Sequence, residues 1–329
     1  MSEPMRILVT GSSGHLGEAL VRVLGDEGHE TIGLDILGSP STAVVGSVAD
    51  RDTVRRCVAG ADAVVHAATL HKPHVGSHGR QDFVDTNITG TLILLEEAVS
   101  AGVESFVFTS TTSAFGRALS PGPGAPAAWI TEDVTPVPKN IYGVTKTAAE
   151  NLCELIHADH GLSVVILRTS RFFPEPDDVP GIRTAYPDAN VKANEYLYRR
   201  ADITDVADAH LLAMARARQI GFGRYIVSAT TPFSPADLAG LRTDAPAVVR
   251  RLFPDQEAEY ERRHWRMFGQ IDRVYVNARA RADLGWAPRY DFRRVLDALK
   301  AGEDPRSPLA RAVGAKGYHP VATGPYTVR

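Results

Sequence analysis

Short apolar runs alternate with stretches of helical period through the first half of the chain. RILVT, ETIGLD and DAVVHAAT are typical of buried strands, whereas GEALVRVLGDEG and DRDTVRRCVAG place apolar residues at helical spacing. The alternation continues with NITGTLILLEEAVSAG as a helix, ESFVFTST as a strand, the segment around Tyr142 as a helix and LSVVILRTS as a strand. This order predicts an α/β fold of Rossmann type, a doubly wound parallel sheet with helices on both faces.

The alternation ends after Arg171, where FFPEPDDVPGIRTAYPDAN is rich in proline and aspartate and has no period. A helix (ITDVADAHLLAMARAR), a strand (GRYIVSAT) and a helix (SPADLAGLRTDA) are predicted to follow. We therefore expect residues 1–170 to form the dinucleotide-binding domain that carries the catalytic residues. Residues 171–329 are expected to form a smaller substrate-binding region interleaved with it.

The last stretch of this region, from about residue 303 to 329, contains several prolines and glycines and is expected to be an extended tail. It would lie on the surface, on a partner subunit or against the substrate cleft.

Composition removes several classes of function. The 329 residues include 36 basic and 39 acidic side chains, so no strong positive field favours nucleic acid or an anionic membrane surface. The N-terminal MSEPMRILVTGSS has neither the charge nor the apolar length of a signal peptide or a spanning helix, and we expect a cytoplasmic protein. Two cysteines, Cys57 and Cys153, fit buried thiols in a reducing compartment.

A glycine-rich turn, LVTGSSGHLGEAL, lies between the first predicted strand and helix. Gly11, Gly14 and Gly17 would allow the tight turn, the close approach of a pyrophosphate and the packing of helix on strand. The second predicted strand ends in an acid, Asp35, where a carboxylate hydrogen-bonds the adenine ribose hydroxyls and repels a 2′-phosphate. The pair of features predicts NAD as the cofactor.

A phenol and an ammonium stand four residues apart in YGVTK. On the predicted helix Tyr142 and Lys146 share one face, so both side chains can reach one ligand.

In order along residues 5 to 298, these segments resemble the extended short-chain dehydrogenase/reductase superfamily. The resemblance is to its NAD-dependent epimerase/dehydratase group, typified by UDP-galactose 4-epimerase. It is carried by TGSSGHLG, Asp35, VVHAAT, NITGTLILLE, FVFTSTTSAFG, YGVTK, LRTSRFF, ADITDVADAH and LGWAP.

The resemblance implies roles for individual residues. Tyr142 would be the acid/base, and Lys146 would hold the nicotinamide ribose and lower the pKa of the phenol. Thr111, with Thr112 as the alternative, would hydrogen-bond the same substrate oxygen. Implied cofactor contacts also come from the following residues: Gly11, Ser13, Gly14, His15, Leu16, Gly17, Asp35, Val48, Ala67, Ala68 and Asn87.

Departures from the family pattern narrow the chemistry. Thr112 and Ser113 stand where sugar 4,6-dehydratases have an acid pair, which argues against dehydration and decarboxylation. No cysteine lies near Thr111, which argues against inversion through an enediol.

The enzyme would therefore be 4-epimerase-like on a nucleotide sugar, or a dehydrogenase or reductase of a non-nucleotide sugar, sugar acid or small carbonyl compound. A catalytically silent NAD-sensing protein is a third hypothesis. Arg171 and Arg199, in altered segments, are candidate substrate contacts together with Thr112.

Four histidines crowd the segment HAATLHKPHVGSH, but their spacing matches no standard zinc ligand set, and we expect no metal. His66 is expected beside the cofactor, and His71 or His74 could face the substrate. The resemblance also implies a homodimer, with the Tyr142 helix at the interface.

Overall fold

The computed structural model describes residues 3–316. Its central feature is a seven-stranded parallel sheet in the order β3-β2-β1-β4-β5-β7-β8, and β6 pairs with β9 in a separate parallel ribbon. The strands are β1 Arg6–Thr10, β2 Glu30–Asp35, β3 Val44–Val45, β4 Ala63–His66, β5 Ser105–Thr111, β6 Ala128–Ile130, β7 Ser163–Thr169, β8 Phe222–Val227 and β9 Arg273–Tyr275.

Helices cover both faces of the large sheet and build the second region. Those of the first half are α1 His15–Asp26, α2 Arg51–Val58, α3 Arg80–Val84, α4 Gly90–Ser100 and α5 Ile141–His160. Those of the second half are α6 Pro180–Ala185, α7 Asp188–Glu195, α8 Ile203–Ile220, α9 Leu238–Thr243, α10 Ala245–Leu252, α11 Gln256–Arg262, α12 Ala278–Leu284, α13 Phe292–Ala301 and α14 Pro308–Val313.

Two apolar cores lie on the two faces of the sheet. One face packs β1 and β7 against α1 and α8, and the other packs β4 and β5 against α2, α4 and α5. Because both faces are covered, the central strands are apolar without alternation, as their sequences indicated. The predicted doubly wound fold is confirmed.

The second half contributes to both regions of the molecule. α8 and β8 join the large sheet, whereas α7, α9–α11, α13 and the β6–β9 ribbon surround a separate apolar cluster. That cluster includes Leu197, Phe268 and Phe292.

Three predicted segments differ from the structure. Within the segment expected to be irregular, α6 begins at Pro180, whose fixed φ suits the first turn of a helix. The predicted helix SPADLAGLRTDA ends at Thr243, and Asp244 then caps a new helix that has a proline in its first turn. The segment expected to be an extended tail contains α14, because Ser307 caps its N-terminus and Pro308 occupies its first position. The rest of the expected tail, residues 317–329, lies outside the described residues.

Among residues 3–316, no helix combines the length and the apolar character needed to cross a bilayer.

Candidate active site

The loop between β1 and α1 is built for close approach of a ligand. Gly11 has φ +73°, and a Cβ at this position would lie 2.7 Å from the main-chain nitrogen of Ala68. At Gly17, a Cβ would lie 1.9 Å from the carbonyl oxygen of Gly11, so helix and loop pack backbone to backbone. The N-cap residue of α1 is Gly14, which has no side chain that could cap the helix. Its first N–H groups are therefore available to an anion such as a pyrophosphate.

Asp35, the last residue of β2, faces this loop. Its carboxylate accepts the main-chain N–H of Ser13 at 3.0 Å and that of Leu37 at 2.9 Å. Burial raises the pKa of Asp35, although these N–H groups lower it in part. The acid is thus fixed at the rim of the glycine loop.

A cavity opens at the carboxyl ends of the parallel strands, between β1 and β4 where the strand order reverses. We call it the cofactor cavity. Of the residues predicted to contact the cofactor or to act in catalysis, those that line it are Gly11, Ser13, Gly14, His15, Leu16, Gly17, Asp35, Val48, Ala67, Ala68 and Tyr142. This set of residues fits NAD.

Asn87, predicted to contact the cofactor, does not line the cavity. It is buried, its Nδ2 donates to the carbonyl of Leu70 and to Thr145, and its Oδ1 accepts the N–H of Leu70. All of its hydrogen-bonding atoms are used to hold the cavity wall. In the structure Asn87 therefore positions the Leu70 segment of the cavity wall.

His66, expected beside the cofactor, points into the core instead. Its Nδ1 lies 2.7 Å from the hydroxyl of Thr10 and its Nε2 lies 3.0 Å from that of Thr91, with Phe108 packed near the ring. Burial, together with the nearby charge of Lys146, lowers the pKa of His66 to about 3. His66 is a neutral residue of the core.

Tyr142 stands on α5 at the wall shared by the cofactor cavity and a second cavity, which we call the substrate cavity. Its hydroxyl hydrogen-bonds with Thr111, the last residue of β5. Burial, opposed in part by the Thr111 hydrogen bond, raises the pKa of Tyr142 to about 12. Thr112, the alternative partner, donates instead to the carbonyl of Thr169 at 3.4 Å.

Lys146 lies one turn along α5, with its ammonium directed into the protein and not among the residues that line either cavity. Its Nζ donates to the carbonyl of Thr109 at 2.7 Å and lies 3.9 Å from the centre of the Phe108 ring. Burial lowers the pKa of Lys146 to about 7, opposed by the charge of Glu150. This ammonium is weakly solvated and close to the cofactor cavity.

The substrate cavity is rich in cations. Lys72, Lys139, Arg171, Arg199 and Arg273 line it, together with one carboxylate, Asp178.

The two predicted substrate arginines, Arg171 and Arg199, are held by acids behind the cavity wall. Arg171 lies 3.0 Å from Asp177, and Arg199 lies 2.8 Å from Glu195. Arg183 and Arg200, whose segments are also altered, do not line the substrate cavity. The arrangement fixes two guanidinium groups at the cavity wall, each already paired with an acid.

The histidine segment forms a loop over the site. His71 and His74 pack edge to face with ring centres 4.6 Å apart, and His71 stacks on Phe173. His71 lines both cavities, whereas His74 and His78 line the cofactor cavity. Within the described part of the chain, no three histidine, cysteine or acidic side chains are grouped to hold a metal ion.

Both cysteines are buried free thiols whose pKa is raised by burial.

Several lining residues were missed from the sequence. Phe172 and Phe173 lie between the two cavities, and Lys316 reaches the cofactor cavity from the C-terminal end of the described chain. The position of the phenylalanines directly after β7 could have indicated them, because carboxyl ends of parallel strands border such sites. The segment that contains Lys316 was expected on the surface, on a partner subunit or against the substrate cleft, whereas Lys316 lines the cofactor cavity.

The fold and this cleft define a dinucleotide-binding enzyme. A family model described as the NAD dependent epimerase/dehydratase family matches residues 7–227. The chain belongs to this family and is an NAD-dependent enzyme.

Individual relatives differ in what their names describe. The sterol demethylase protein B of Methylococcus capsulatus is 30% identical, with 90% of this chain and 97% of that protein covered. The UDP-glucose 4-epimerase of Azospirillum brasilense is 26% identical, with 95% of each chain covered. A short-chain dehydrogenase/reductase superfamily protein of Agrobacterium tumefaciens, solved with bound NAD, has the same fold at 23% identity. Its TM-score is 0.65, with 90% of this chain and 97% of that chain covered.

Proposed function

We propose that the protein is a sugar-modifying enzyme that acts, like a 4-epimerase, on a nucleotide sugar through a transient 4-keto sugar. The observation that carries the proposal is the position of Tyr142. Its hydroxyl, paired with Thr111, lies at the wall between the cofactor cavity and the substrate cavity.

NAD, when bound, supplies a site that accepts a hydride from the sugar carbon and returns it. Tyr142 takes the proton of the substrate hydroxyl and later gives it back, while Thr111 orients the same oxygen. In the cofactor-free protein the phenol keeps its proton, because burial raises its pKa to about 12. The positive charge of a bound nicotinamide would lower that pKa.

The surroundings of the phenol support chemistry at oxygen and argue against dehydration. Thr112 and Ser113, which follow Thr111, have no group that can move a carbon-bound proton near neutral pH. Asp178 is the one carboxylate among the described residues that line the substrate cavity, and it is paired with Lys72. Burial opposes ionisation of Asp178, but the contacts from Lys72 and Arg171 prevail and lower its pKa.

The cations around the substrate cavity support an anionic substrate. A diphosphate satisfies several guanidinium and ammonium groups at once, which favours a nucleotide sugar such as the substrate in the name of the Azospirillum relative. The ion pairs that already hold Arg171 and Arg199 favour a second candidate. In that reading the enzyme is a net dehydrogenase or reductase of a non-nucleotide sugar, sugar acid or small carbonyl compound. The name of another relative, a sterol demethylase protein, likewise refers to no nucleotide sugar.

Sugar conversion and net NADH, measured on the same sample, separate these candidates. The purified protein is mixed with NAD and UDP-glucose, UDP-galactose, UDP-glucuronate or unactivated sugars, while absorbance at the NADH band is followed and products are separated. Converted sugar without net NADH supports the epimerase. NADH that accumulates in proportion to the substrate refutes it and supports the dehydrogenase.

Tyr142→Phe is compared with Tyr186→Phe, because Tyr186 packs on Phe268 and lines neither cavity. Only the first change should abolish conversion. Absence of turnover in the unmodified protein would favour the catalytically silent NAD-sensing protein.

A homodimer through α5 is part of the proposal. Val144 and Leu155 are apolar and exposed, and their separation of about three helical turns places them on one face of this helix. Light scattering after size exclusion should give twice the chain mass, and Leu155→Glu should shift it toward the monomer. A monomeric unmodified protein would contradict this part.

A further inference from the structure

The chain continues beyond α13 into a segment that returns to the cofactor end of the sheet. We call residues 303–316 the C-terminal arm. Within the arm, α14 packs against α1 and α8, and Val313 is buried with Ala19 and Ile203. The main-chain N–H of the buried Ser307 donates to Asp202 at the start of α8. The arm is therefore docked on the domain and not loosely attached.

Three segments distant in sequence meet at the end of the arm. His15 is the first residue of α1, directly after the glycine loop, Glu175 belongs to the loop after β7 and Lys316 to the arm. His15 Nε2 lies 2.8 Å from Glu175 Oε1, and the main-chain nitrogen of Lys316 lies 3.1 Å from both atoms. When His15 Nε2 donates a hydrogen bond to the carboxylate, it cannot also accept one from the N–H of Lys316. We therefore assign Glu175 Oε1 as the acceptor of both His15 Nε2–H and the Lys316 N–H. We call this contact the His15–Glu175–Lys316 junction.

The side chain of Lys316 makes a second contact, with helix α1. Its Nζ pairs with Glu18 in the first turn of α1. Burial alone would raise the pKa of Glu18, but the hydrogen bonds from Lys316 and Arg22 lower it. Lys316 is thus bound through its main chain to Glu175 and through its side chain to the first turn of α1.

The junction lies where the dinucleotide phosphates would be held. Gly14 and His15 mark the N-terminus of α1, whose N–H groups attract anions. Lys316 lines the cofactor cavity beside them and is its only lysine or arginine among the described residues. His15 and Glu175 are both almost fully buried, so separating them exposes or unpairs a carboxylate, which is costly.

We infer that the C-terminal arm retains the cofactor: the His15–Glu175–Lys316 junction closes the pyrophosphate end of the cofactor cavity, and NAD leaves only when the junction opens. Such retention suits an enzyme that uses one NAD for successive half-reactions. The inference rests on NAD as cofactor and not on the proposed 4-epimerase reaction.

Two shortened chains test the inference. A chain that ends at Gly314 lacks the junction but keeps α14 and the N–H of Gly314 that caps it. A chain that ends at Gly317 keeps the junction and is the control. Each is loaded with the fluorescent 1,N6-etheno-NAD and mixed with excess NAD, and the release rate is measured without any sugar.

We expect the chain ending at Gly314 to release the nucleotide about tenfold faster or more than the control, which corresponds to ~1.4 kcal/mol. The full chain and the control should release it at similar rates. Equal rates for the two shortened chains would overturn the inference. Fast release from the control would overturn it too, because residues beyond the junction would then hold the nucleotide. Thermal melting establishes that each shortened chain is folded.

Two point variants separate the contacts. Glu175→Gln removes the charge that receives both donors and should accelerate release. Lys316→Ala keeps the main-chain N–H, so its effect should be smaller. If Glu175→Gln leaves the release rate unchanged while melting normally, the junction is not the closing element. Because no sugar is present, failure of the 4-epimerase proposal would leave these rates unaffected.

Discussion

The choice between NAD and NADP should depend on the carboxylate of Asp35. Two main-chain N–H groups hold it at the rim of the glycine loop, so it cannot turn away from a ligand. Among the described residues that line the cofactor cavity, the only lysine or arginine is Lys316, which is paired with Glu18. The 2′-phosphate of NADP would therefore be repelled by the Asp35 carboxylate and would have no unpaired lysine or arginine among the described lining residues to bind it.

The size of this discrimination follows from Coulomb's law. Two unit charges about 4 Å apart repel by about 1 kcal/mol in water and about 4 kcal/mol near a protein surface. A phosphate monoester carries nearly two charges at neutral pH, which doubles the repulsion. Because Asp35 is half-buried beside an open cleft, we take the lower figure, ~2 kcal/mol, and expect NADP to bind about 30-fold more weakly than NAD.

The assay is the ratio of dissociation constants for NAD and NADP, measured by calorimetry for the unmodified protein and for Asp35→Asn. The substitution removes the charge and keeps the size, so the ratio should fall by about tenfold or more. Asp62→Asn is the matched control. Asp62 also accepts a main-chain N–H, from Arg6, but is exposed and lines neither cavity. If Asp35→Asn leaves the ratio unchanged, or the Asp62 control changes it equally, the electrostatic reasoning is wrong.

Three further predictions concern single residues. Tyr142→Phe should slow hydride transfer from substrate by about a hundredfold or more while NAD binding stays within threefold, measured by stopped-flow absorbance; a smaller loss would contradict its acid/base role. Gly17→Ala should abolish NAD binding or folding, because its Cβ would lie 1.9 Å from the Gly11 oxygen, whereas Gly25→Ala, with open space around it, should melt at or above the temperature of the unmodified protein. Burial holds the pKa of His66 at about 3. Between pH 6.5 and 3 the unfolded chain therefore takes up a proton that the folded chain does not, and the free energy of unfolding decreases as the pH is lowered. Between pH 6.5 and 5 this residue should lower the free energy of unfolding by about 1.6 kcal/mol, and guanidinium titrations should show that loss removed in His66→Gln; an unchanged loss would place the titrating group elsewhere.

Local patterns predicted the elements that form the cofactor cavity. The glycine loop, Asp35 and the Tyr142 helix could be identified because each depends on neighbours within a few residues. The glycine turn requires a positive φ at Gly11, which only a local residue choice can provide. The last residue of a strand, here Asp35, lies at the edge of the sheet. Helical spacing places Tyr142 and Lys146 on one face of their helix.

Residues whose environment comes from distant parts of the chain were predicted less well. Asn87 and His66 lie in segments that resemble the family. In the structure, however, the side chain of Asn87 hydrogen-bonds with Thr69 and Leu70 in the wall of the cofactor cavity, and that of His66 hydrogen-bonds with Thr10 and Thr91 in the core. Which way a buried polar side chain turns depends on the hydrogen-bond partners that packing brings to it. Those partners are far away in sequence.

The sequence by itself determined the doubly wound sheet, and it predicted the glycine loop proposed to hold the dinucleotide and the phenol proposed for proton transfer. These predictions depend on hydrophobic periodicity and on backbone conformations that residues within one short segment already specify. Only the tertiary structure decided that Lys146 turns to the Thr109 carbonyl, that several cations line the substrate cavity, and that Lys316 contacts Glu175 and Glu18. Each of these is a contact between segments widely separated along the chain, and burial and charge pairing fix such contacts only after the chain has folded.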